Sequence, residues 1–351
     1  MKRLIIFLAF PAMLIFMISP LKAEVRKLRV SCTVSPKSVF NWGMLKPWAK
    51  MIEERTQAIG KPIKVSIFFG ESIVKHNEHY KAVVNGTVDV SSMVGVHLIE
   101  DGKTIPTVMN LPFLFKNTRA TALTALELSE KWPEFLKPYS EAKLMWFQPT
   151  GPSHAILSTK KDIKTLEDLK GLKTRSGLAL TSEVIRTLGG VPLDIQMLEI
   201  YQALERGLLD YISKDWEACM AFKWFEVTKY RTILPLGLWT DFLVTSMNWE
   251  TWNKMDPDVQ KIFAELNGRF MTELIANKFD EADGKLKQVI RGIDKKAGKP
   301  EFYNLPEEEF QRWRKSAQPI YQKWADEMEA KNLPGKKILK DAIELSEKYA
   351  K

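Results

Sequence analysis

Residues 162–177 read DIKTLEDLKGLKTRSG, and the position of one arginine in this stretch raises the first question about the chain. An apolar run that begins at Leu172 predicts a short strand, 172–174, which breaks into a Ser-Gly turn directly after Arg175. An arginine at the carboxyl end of a strand is either a solvated surface charge or a guanidinium group placed to bind an anion, since its planar fork matches a carboxylate. The rest of the sequence decides between these two interpretations.

Strand-like and helical patterns alternate on both sides of this stretch. The predicted strands are 28–34, 64–69, 88–93, 144–147, 155–158, 172–174 and 191–195, and the predicted helices among them are 45–58, 77–84, 179–188 and 198–206. Such alternation predicts an α/β fold with parallel sheets. Two blocks of this kind in series predict two lobes, with a cleft between them as the usual place for a small ligand.

The last third of the chain is helical in pattern. Asp256 and Pro257 are typical of an N-cap followed by proline at the first helical position. An apolar stripe continues from there, so we predict one helix to about Ile290, roughly 50 Å long at 1.5 Å per residue. A helix of this length is expected to brace both lobes. A second helical pattern covers 310–330, where Pro319 is expected to kink or split the helix.

The first residues predict export. Met1, Lys2 and Arg3 form a basic start, residues 4–18 are almost entirely apolar, and a short segment then ends in Ala23. The apolar run is shorter than the ~20 residues of a membrane-spanning helix, and this order is typical of a cleaved secretory signal. We therefore expect residues 1–23 to be a signal peptide and the mature protein to be periplasmic. An uncleaved interfacial anchor is the alternative.

Charge and cysteine content narrow the class of protein further. The formal net charge is +9, but the lysines interleave with acidic residues, whereas a nucleic-acid-binding face would be a cluster. Only two cysteines occur, Cys32 and Cys219, and we expect two buried thiols rather than a disulfide framework. We expect no nucleic-acid partner.

Motifs for catalysis and for cofactors are absent from the sequence. It contains no dinucleotide fingerprint, P-loop, nucleophile elbow or zinc-protease motif. His76 and His79 are three residues apart, and we expect surface polar residues there rather than a shared metal. His154 is expected to be a hydrogen-bond donor at a strand start rather than a base. We therefore expect no metal, no cofactor and no enzymatic activity.

Six blocks in order along the chain carry a resemblance to a known family. They are SVFNWGMLKPWAKMIEERTQAIGKPIKVSIF, NEHYKAVVNGTVDVSSM, IPTVMNLPFLF, TLEDLKGLKTR, LEIYQALERGLLD and WNKMDPDVQKIF. Each block alone is weak, but together they resemble the solute-binding proteins of tripartite ATP-independent periplasmic (TRAP) transporters, of the C4-dicarboxylate-binding DctP type. The resemblance covers essentially the whole chain after residue 23.

This resemblance implies a domain organisation and a function. The fold would have lobe 1 at 24–147, lobe 2 at 148–234, a return to lobe 1 at 235–255, and the long bracing helix with the C-terminal helices at 256–351. The protein would capture an organic acid and deliver it to a permease made of a small and a large membrane subunit. A receptor of the same fold that feeds a sensor protein is the alternative. A secreted enzyme on this scaffold would need a catalytic constellation that we do not find.

The resemblance also answers the question about Arg175. In the family, the arginine that closes the G-L-K-x-R run points into the cleft and pairs with the carboxylate of the ligand. Carried over to this sequence, that residue is Arg175, and a guanidinium fork suits a carboxylate better than the point charge of a lysine does. We therefore expect Arg175 to bind the ligand.

Eight further residues are implied at or near the cleft, and these are Phe40, Trp42, Glu71, Gln148, Tyr211, Trp216, Glu217 and Asn248. For Trp216 a place in the core is an equal alternative, and Glu71 is equally well a plain turn residue. The chain departs from the family at Tyr211, usually glycine, and at Asp215, often proline, so the class of ligand stays open. Since aromatic candidates outnumber the one assigned cation, we expect an acid held by one carboxylate with a partly aromatic body. An ordinary dicarboxylate or a sugar acid is the alternative.

Overall fold

The computed structural model describes residues 25–95 and 104–350, so the expected signal peptide lies outside the described residues. The strands of the described chain are β1 (Arg26–Cys32), β2 (Ile63–Phe69), β3 (Val90–Gly95), β4 (Lys143–Phe147), β5 (Ala155–Ser158), β6 (Lys173–Ser176), β7 (Val191–Asp194), β8 (Tyr211–Lys214), β9 (Tyr230–Ile233), β10 (Leu243–Met247) and β11 (Tyr303–Asn304). The helices are α1 (Lys46–Ala58), α2 (His79–Val84), α3 (Thr118–Lys131), α4 (Ala179–Thr187), α5 (Ile200–Glu205), α6 (Trp216–Ala221), α7 (Trp224–Val227), α8 (Trp249–Asn253), α9 (Pro257–Leu266), α10 (Arg269–Lys296), α11 (Glu307–Glu329) and α12 (Gly335–Tyr349).

Two sheets define two lobes, which confirms the predicted two-lobe α/β fold. The sheet of lobe 1 has the strand order β2-β1-β3-β10-β4. Its first three strands are parallel, and β10 runs antiparallel to both β3 and β4. The sheet of lobe 2 has the order β11-β9-β5-β8-β6-β7, with β6, β7 and β8 parallel and β5 antiparallel to β8 and β9.

The expectation of purely parallel sheets is therefore wrong. The chain crosses from lobe 1 to lobe 2 after β4 and returns after β9. The first strand after each crossing, β5 or β10, is antiparallel to both of its neighbours in the sheet that it joins. A local strand–helix–strand pattern cannot reveal this reversal, because the reversed strands arrive by crossing rather than through a helix.

The two crossing segments, 148–154 and 234–242, bond to each other along their length. The amides of Thr150 and Ser153 donate to the carbonyls of Asp241 and Trp239 at 3.0 and 2.8 Å. A β-carbon on Gly237 would lie 2.3 Å from the β-carbon of Pro152, so only glycine permits this approach. The segments form a narrow, hydrogen-bonded connection between the lobes.

Helix α10 braces both lobes, as predicted. It has 28 residues, or about 42 Å at 1.5 Å per residue. Its first half contributes Phe279 to the core of lobe 1, and its second half contributes Ile290 to the core of lobe 2. Near its end, Asp294 forms a buried ion pair with Arg231 of β9.

The predicted single helix from Asp256 onward is nevertheless two helices. Gly268 has φ +57° and ψ −127°, a conformation in which side-chain-bearing residues are strained. Its amide leaves the helical ladder and donates to the carbonyl of Met145 in β4 at 2.7 Å. The apolar stripe continues across this break in α9 and α10, which is why periodicity alone predicts one helix.

The expectation that Pro319 splits its helix is also wrong, because α11 runs unbroken from Glu307 to Glu329. Pro319 lies on the exposed face, where water can reach the carbonyl that lacks its usual donor. On the opposite face Trp313, Ala317 and Ile320 are buried and keep the helix packed across the proline.

Cys32 and Cys219 are both buried free thiols, as expected from the sequence. In the part of the chain that the structure describes, no helix has the length and apolar character needed to cross a membrane.

Candidate functional site

The carboxyl ends of parallel strands from both lobes meet at one cleft. In lobe 1, Thr33 follows β1 and His76 lies in the loop after β2. In lobe 2, Arg175 is near the end of β6 and Lys214 ends β8. Burial lowers the pKa of His76, and the positive charges of Arg175 and Lys214 lower it further, so these groups of the two lobes lie near one another. Carboxyl ends of strands are the usual ligand-binding edge of an α/β sheet.

Arg175 is held in place but carries no carboxylate partner among the described residues. Its Nε donates to the carbonyl of Ile195, just after β7, at 3.1 Å. Its guanidinium lies over Gly177, where a β-carbon would come within 2.2 Å of Nη2, so the Ser-Gly turn makes room for the fork. Burial lowers the pKa of Arg175, and Asp241 and Asp194 oppose this effect from a distance. An anion that enters the cleft would find a desolvated and oriented guanidinium group.

The second cation of lobe 2 is already neutralised. Lys214 is buried at the end of β8 and forms an ion pair with Asp241 of the crossing segment 234–242. Next to it, Asp215 caps helix α6 by accepting from the amide of Ala218 at 2.8 Å. Burial raises the pKa of Asp215 to about 7, against the lowering effect of Lys214. Arg175 is therefore the cation of this wall that is left for a ligand.

The wall contributed by lobe 1 is a chain of uncharged hydrogen-bonding groups. The Thr33 hydroxyl lies 3.3 Å from Nδ1 of His76 and 3.2 Å from Nε2 of His79. On its other side, Nδ1 of His79 lies 2.7 Å from the Ser91 hydroxyl in β3. Burial lowers the pKa of His76, and it lowers the pKa of His79 to about 4, so both imidazoles are neutral at pH 7.

The sequence-based assignment of both histidines to the surface is thus wrong. His79 is fully buried and His76 is partly buried. Their partners Thr33 and Ser91 come from strands that neighbour each other only in the folded sheet. Both histidines belong to the hydrogen-bonded chain through Thr33 and Ser91. Among the described residues, no group of three or more His, Cys, Asp or Glu side chains is placed to hold a metal ion. His154 bonds to the carbonyls of Leu234 and Lys116, which accords with a role in holding backbone.

Gln148 follows β4 and is fully buried at the start of the crossing segment. Its Oε1 accepts from the hydroxyls of Ser92 and Thr245. Its Nε2 is buried and has no hydrogen-bond partner among the described residues. An unpaired buried donor costs about 1–3 kcal/mol, and a ligand or water that accepted from this amide would remove that cost.

Glu217 instead joins the two lobes directly. Its Oε1 accepts from the Ser38 hydroxyl at 2.7 Å and from the Val39 amide at 3.1 Å, both in lobe 1. Asp283 of α10 accepts from the amides of Trp216 and Glu217 at the start of α6. We call the contact of Glu217 with Ser38 and Val39 the interlobe latch. Burial raises the pKa of Glu217, and the two donors of the latch oppose that rise.

Trp42 and Glu217 share a different cavity from Arg175. This cavity, of about 430 Å³, lies where the loop before α1, helix α6 and helix α10 meet, and Trp42 on its rim is 48% exposed. Arg175 and Gln148 do not line it. The structure therefore separates two groups of residues that the sequence places in one pocket.

Four other predicted site residues lie in packed or capping positions. Phe40 is buried against Phe279 of α10, with ring centroids 5.3 Å apart. Trp216 is buried and stacks on Phe302 with ring centroids 5.3 Å apart, so it takes the place in the core that was the alternative to a site role. Tyr211 is buried at the start of β8, the end opposite to Lys214. Asn248 caps α8 and donates to the carbonyls of Val83 and Val84.

Glu71 keeps a position beside the cleft. It lies in the turn after β2 with φ +61°, and its negative charge opposes the lowering of the His76 pKa that burial causes. Lys214, Asp241 and Thr33 lie beside this cleft and are not predicted there from the sequence, and His76 was expected to be a surface residue. A signal existed for Thr33 and His76, since both follow predicted neighbouring strands of one sheet.

Comparison with known proteins identifies the family to which this chain belongs. Residues 30–327 match the family described as bacterial extracellular solute-binding protein, family 7, and the chain belongs to that family. A sequence relative, the C4-dicarboxylate-binding periplasmic protein DctP of Rhodobacter capsulatus, is 23% identical over 320 residues, which are 90% of this chain and 91% of the relative.

Two solved structures are similar throughout. A TRAP solute-binding protein from Rhodoferax ferrireducens T118, in complex with copurified benzoate, has a TM-score of 0.82 and 23% identity, and the match covers 92% of this chain and 98% of that one. A TRAP periplasmic solute-binding protein from Bordetella bronchiseptica, with bound (R)- and (S)-mandelate, has a TM-score of 0.80 and 22% identity, covering 92% and 99%. These findings confirm the resemblance seen in the sequence.

Proposed function

We propose that this protein is a periplasmic receptor that captures an organic acid between its two lobes and delivers it to a TRAP permease. The observation that carries the proposal is the state of Arg175, a half-buried guanidinium at the cleft with no carboxylate partner among the described residues. Burying a cation without an anion is unfavourable. The carboxylate of a ligand supplies the missing charge with two parallel hydrogen bonds.

The ligand proposed here is an acid held by one carboxylate, with a partly aromatic or apolar body. The ion pair of Lys214 with Asp241 supports one carboxylate rather than two, because it leaves one available cation on that wall. The benzoate and mandelate of the two similar solved structures support an aromatic body. The name of the Rhodobacter capsulatus relative favours a C4-dicarboxylate, which is the alternative.

Capture would proceed by closure of the lobes about the two crossing segments. Domain closure about a few connecting residues is a common response of two-lobe receptors. The interlobe latch of Glu217 would hold the closed form, which the small and large permease subunits would then recognise. Export through cleavage after Ala23 would place the protein in the periplasm. We propose no turnover, so a bound acid should be released unchanged.

The direct test is mass spectrometry of the small acids released when the purified protein is denatured. We expect one carboxylic acid in wild-type protein and none in the Arg175→Ala variant. A thermal-shift panel of benzoate, mandelate, succinate and glucuronate then identifies the class of ligand. Stabilisation by succinate or glucuronate alone would overturn the aromatic assignment. Failure of all four, with no acid released, would overturn organic-acid capture itself.

A further inference from the structure

We propose that His76 is a ligand-recognition residue contributed by lobe 1, positioned by a hydrogen-bonded chain through Thr33 and His79 to Ser91. The inference rests on the proposed function, because it concerns the same cleft. It assigns a polar group to the wall opposite Arg175.

The first step is position. His76 begins the short 3-10 helix His76–Glu78 between β2 and α2, and the charged and titratable groups that lie near it among the described residues come from both lobes. These are Arg175 near the end of β6, Lys214 at the end of β8, Asp241 of the crossing segment, Glu71 of the turn after β2 and His79 of α2. A ligand carboxylate bound to Arg175 would therefore lie close to the imidazole.

The second step is the orientation of the ring. Thr33 has one hydroxyl proton, and its oxygen touches Nδ1 of His76 and Nε2 of His79. Nδ1 of His79 in turn meets the Ser91 hydroxyl. In such a chain each donor requires an acceptor next to it, so the tautomers of His76 and His79 are coupled through Thr33. The ring is thereby pre-organised, as recognition groups need to be.

The third step is charge. Without ligand, burial and the positive charge of Arg175 lower the pKa of His76, and the imidazole is neutral. A carboxylate on Arg175 cancels that charge, which raises the pKa of His76 in the complex. The complex then binds more protons than the free protein does, so affinity rises as pH falls through the pKa of the complex. The gain in affinity levels off below the pKa that His76 has in the free protein, and burial lowers that pKa from the ordinary 6.5.

The experiment is isothermal titration calorimetry with whichever acid of the panel benzoate, mandelate, succinate and glucuronate stabilises the wild type most. Titrations at pH 6 and pH 8, each in two buffers of different ionisation enthalpy, measure the protons taken up on binding. We expect wild type to take up a fraction of a proton at pH 6 and almost none at pH 8. His76→Asn should abolish the uptake and weaken binding about tenfold at pH 6, as expected for one charge-assisted hydrogen bond.

Matched variants separate recognition from structure. Asn77→Ala, at the exposed neighbouring position, should leave affinity and proton uptake unchanged. Thr33→Val should weaken binding several-fold, and Thr33→Ser, which keeps the hydroxyl, should restore it. If His76→Asn fails to fold, His76→Gln takes its place.

Asp215 and Glu217 also have raised pKa values, so proton uptake alone does not identify His76. Unchanged uptake in His76→Asn, or unchanged affinity in both His76→Asn and Thr33→Val, would overturn the inference. Either result would leave capture through Arg175 standing, whereas loss of Arg175-dependent binding would remove both.

Discussion

The two walls of the cleft differ in the kind of polar group that they carry. The wall of lobe 2 carries full charges, Arg175 and the Lys214–Asp241 ion pair. The wall of lobe 1 carries mainly uncharged donors and acceptors, among them Thr33, His76 and Gln148, with the charge of Glu71 at its side. Charge attracts any small anion, whereas an ordered hydrogen-bonded wall distinguishes one acid from another. Under the proposed function, the charged wall would set the class of ligand and the uncharged wall its identity.

Two arginines of lobe 2 differ in whether a carboxylate of the protein neutralises their charge. Arg231 is fully buried and forms an ion pair with Asp294, so its charge is neutralised within the protein and has a structural role. Arg175 has backbone support and no such partner among the described residues. Since burying a cation without an anion is costly, a ligand carboxylate on Arg175 would have the effect there that Asp294 has on Arg231.

The largest effect is expected on the charged wall. Arg175→Ala should weaken binding by about thirty- to several-thousand-fold, because loss of one partner of a desolvated charge pair costs ~2–5 kcal/mol. Calorimetric titration with the acid that stabilises wild type measures this loss, and a thermal melt without ligand checks the fold. Arg186→Ala, at an exposed position of α4, is the control and should bind like wild type. Binding of the Arg175→Ala variant within threefold of wild type would contradict the division between the walls.

A smaller effect separates charge from shape at the same position. Arg175→Lys keeps the positive charge but loses the planar fork and the support from Ile195. We expect affinity roughly tenfold below wild type and well above that of Arg175→Ala, since the Coulombic part of the interaction remains. Equal affinity of the lysine variant and wild type in the same titration would mean that charge alone is recognised.

The sequence predicts Arg175 as a ligand-binding residue and does not predict the hydrogen-bonded chain of Thr33, His76 and His79, for a physical reason. Arg175 stands in a local motif, a short strand followed by a Ser-Gly turn, and local patterns survive in sequence. The role of His76 depends on Thr33, 43 residues earlier, and on the pairing of β1 with β2. Periodicity shows which face of an element is apolar and says nothing of which distant hydroxyl it meets.

Glu217 was found by resemblance but given another expected role. Its partner Ser38 lies 179 residues away in the other lobe, and only the packing of α6 against the loop before α1 brings the two together. Trp216, its neighbour, turns to the opposite side and stacks on Phe302. Adjacent residues of one motif thus serve the interlobe latch and the core of lobe 2.

On the uncharged wall the expected loss is moderate. Gln148→Met removes the buried Nε2 donor and leaves the hydroxyls of Ser92 and Thr245 without their acceptor. We expect affinity to fall about tenfold, which corresponds to one good hydrogen bond to a ligand. Thr245→Val is the matched control, because it removes one supporting hydroxyl and leaves Nε2, and it should cost less. If both variants bind like wild type, Gln148 is structural and does not contact the ligand.

The smallest effect on affinity is expected at the interlobe latch, which joins the walls without belonging to either. Glu217→Gln keeps an oxygen that can accept from Ser38 and Val39 and removes a buried charge, so it should close as well as wild type does. Glu217→Leu cannot accept either bond and should weaken binding about fivefold, since two hydrogen bonds at the low end of the net range, about 0.5 kcal/mol each, contribute about 1 kcal/mol. Because burial raises the pKa of Glu217, the closed form binds its proton more tightly than an open, solvated form would. Closure of wild type should therefore be favoured as pH falls, and closure of Glu217→Gln should lose the part of the pH dependence that comes from this group.

Small-angle scattering measures both effects: the radius of gyration with saturating ligand should match between wild type and Glu217→Gln, and should be larger for Glu217→Leu. Equal radii for all three proteins, with and without ligand, would show that the contact of Glu217 with Ser38 and Val39 accompanies closure without stabilising it.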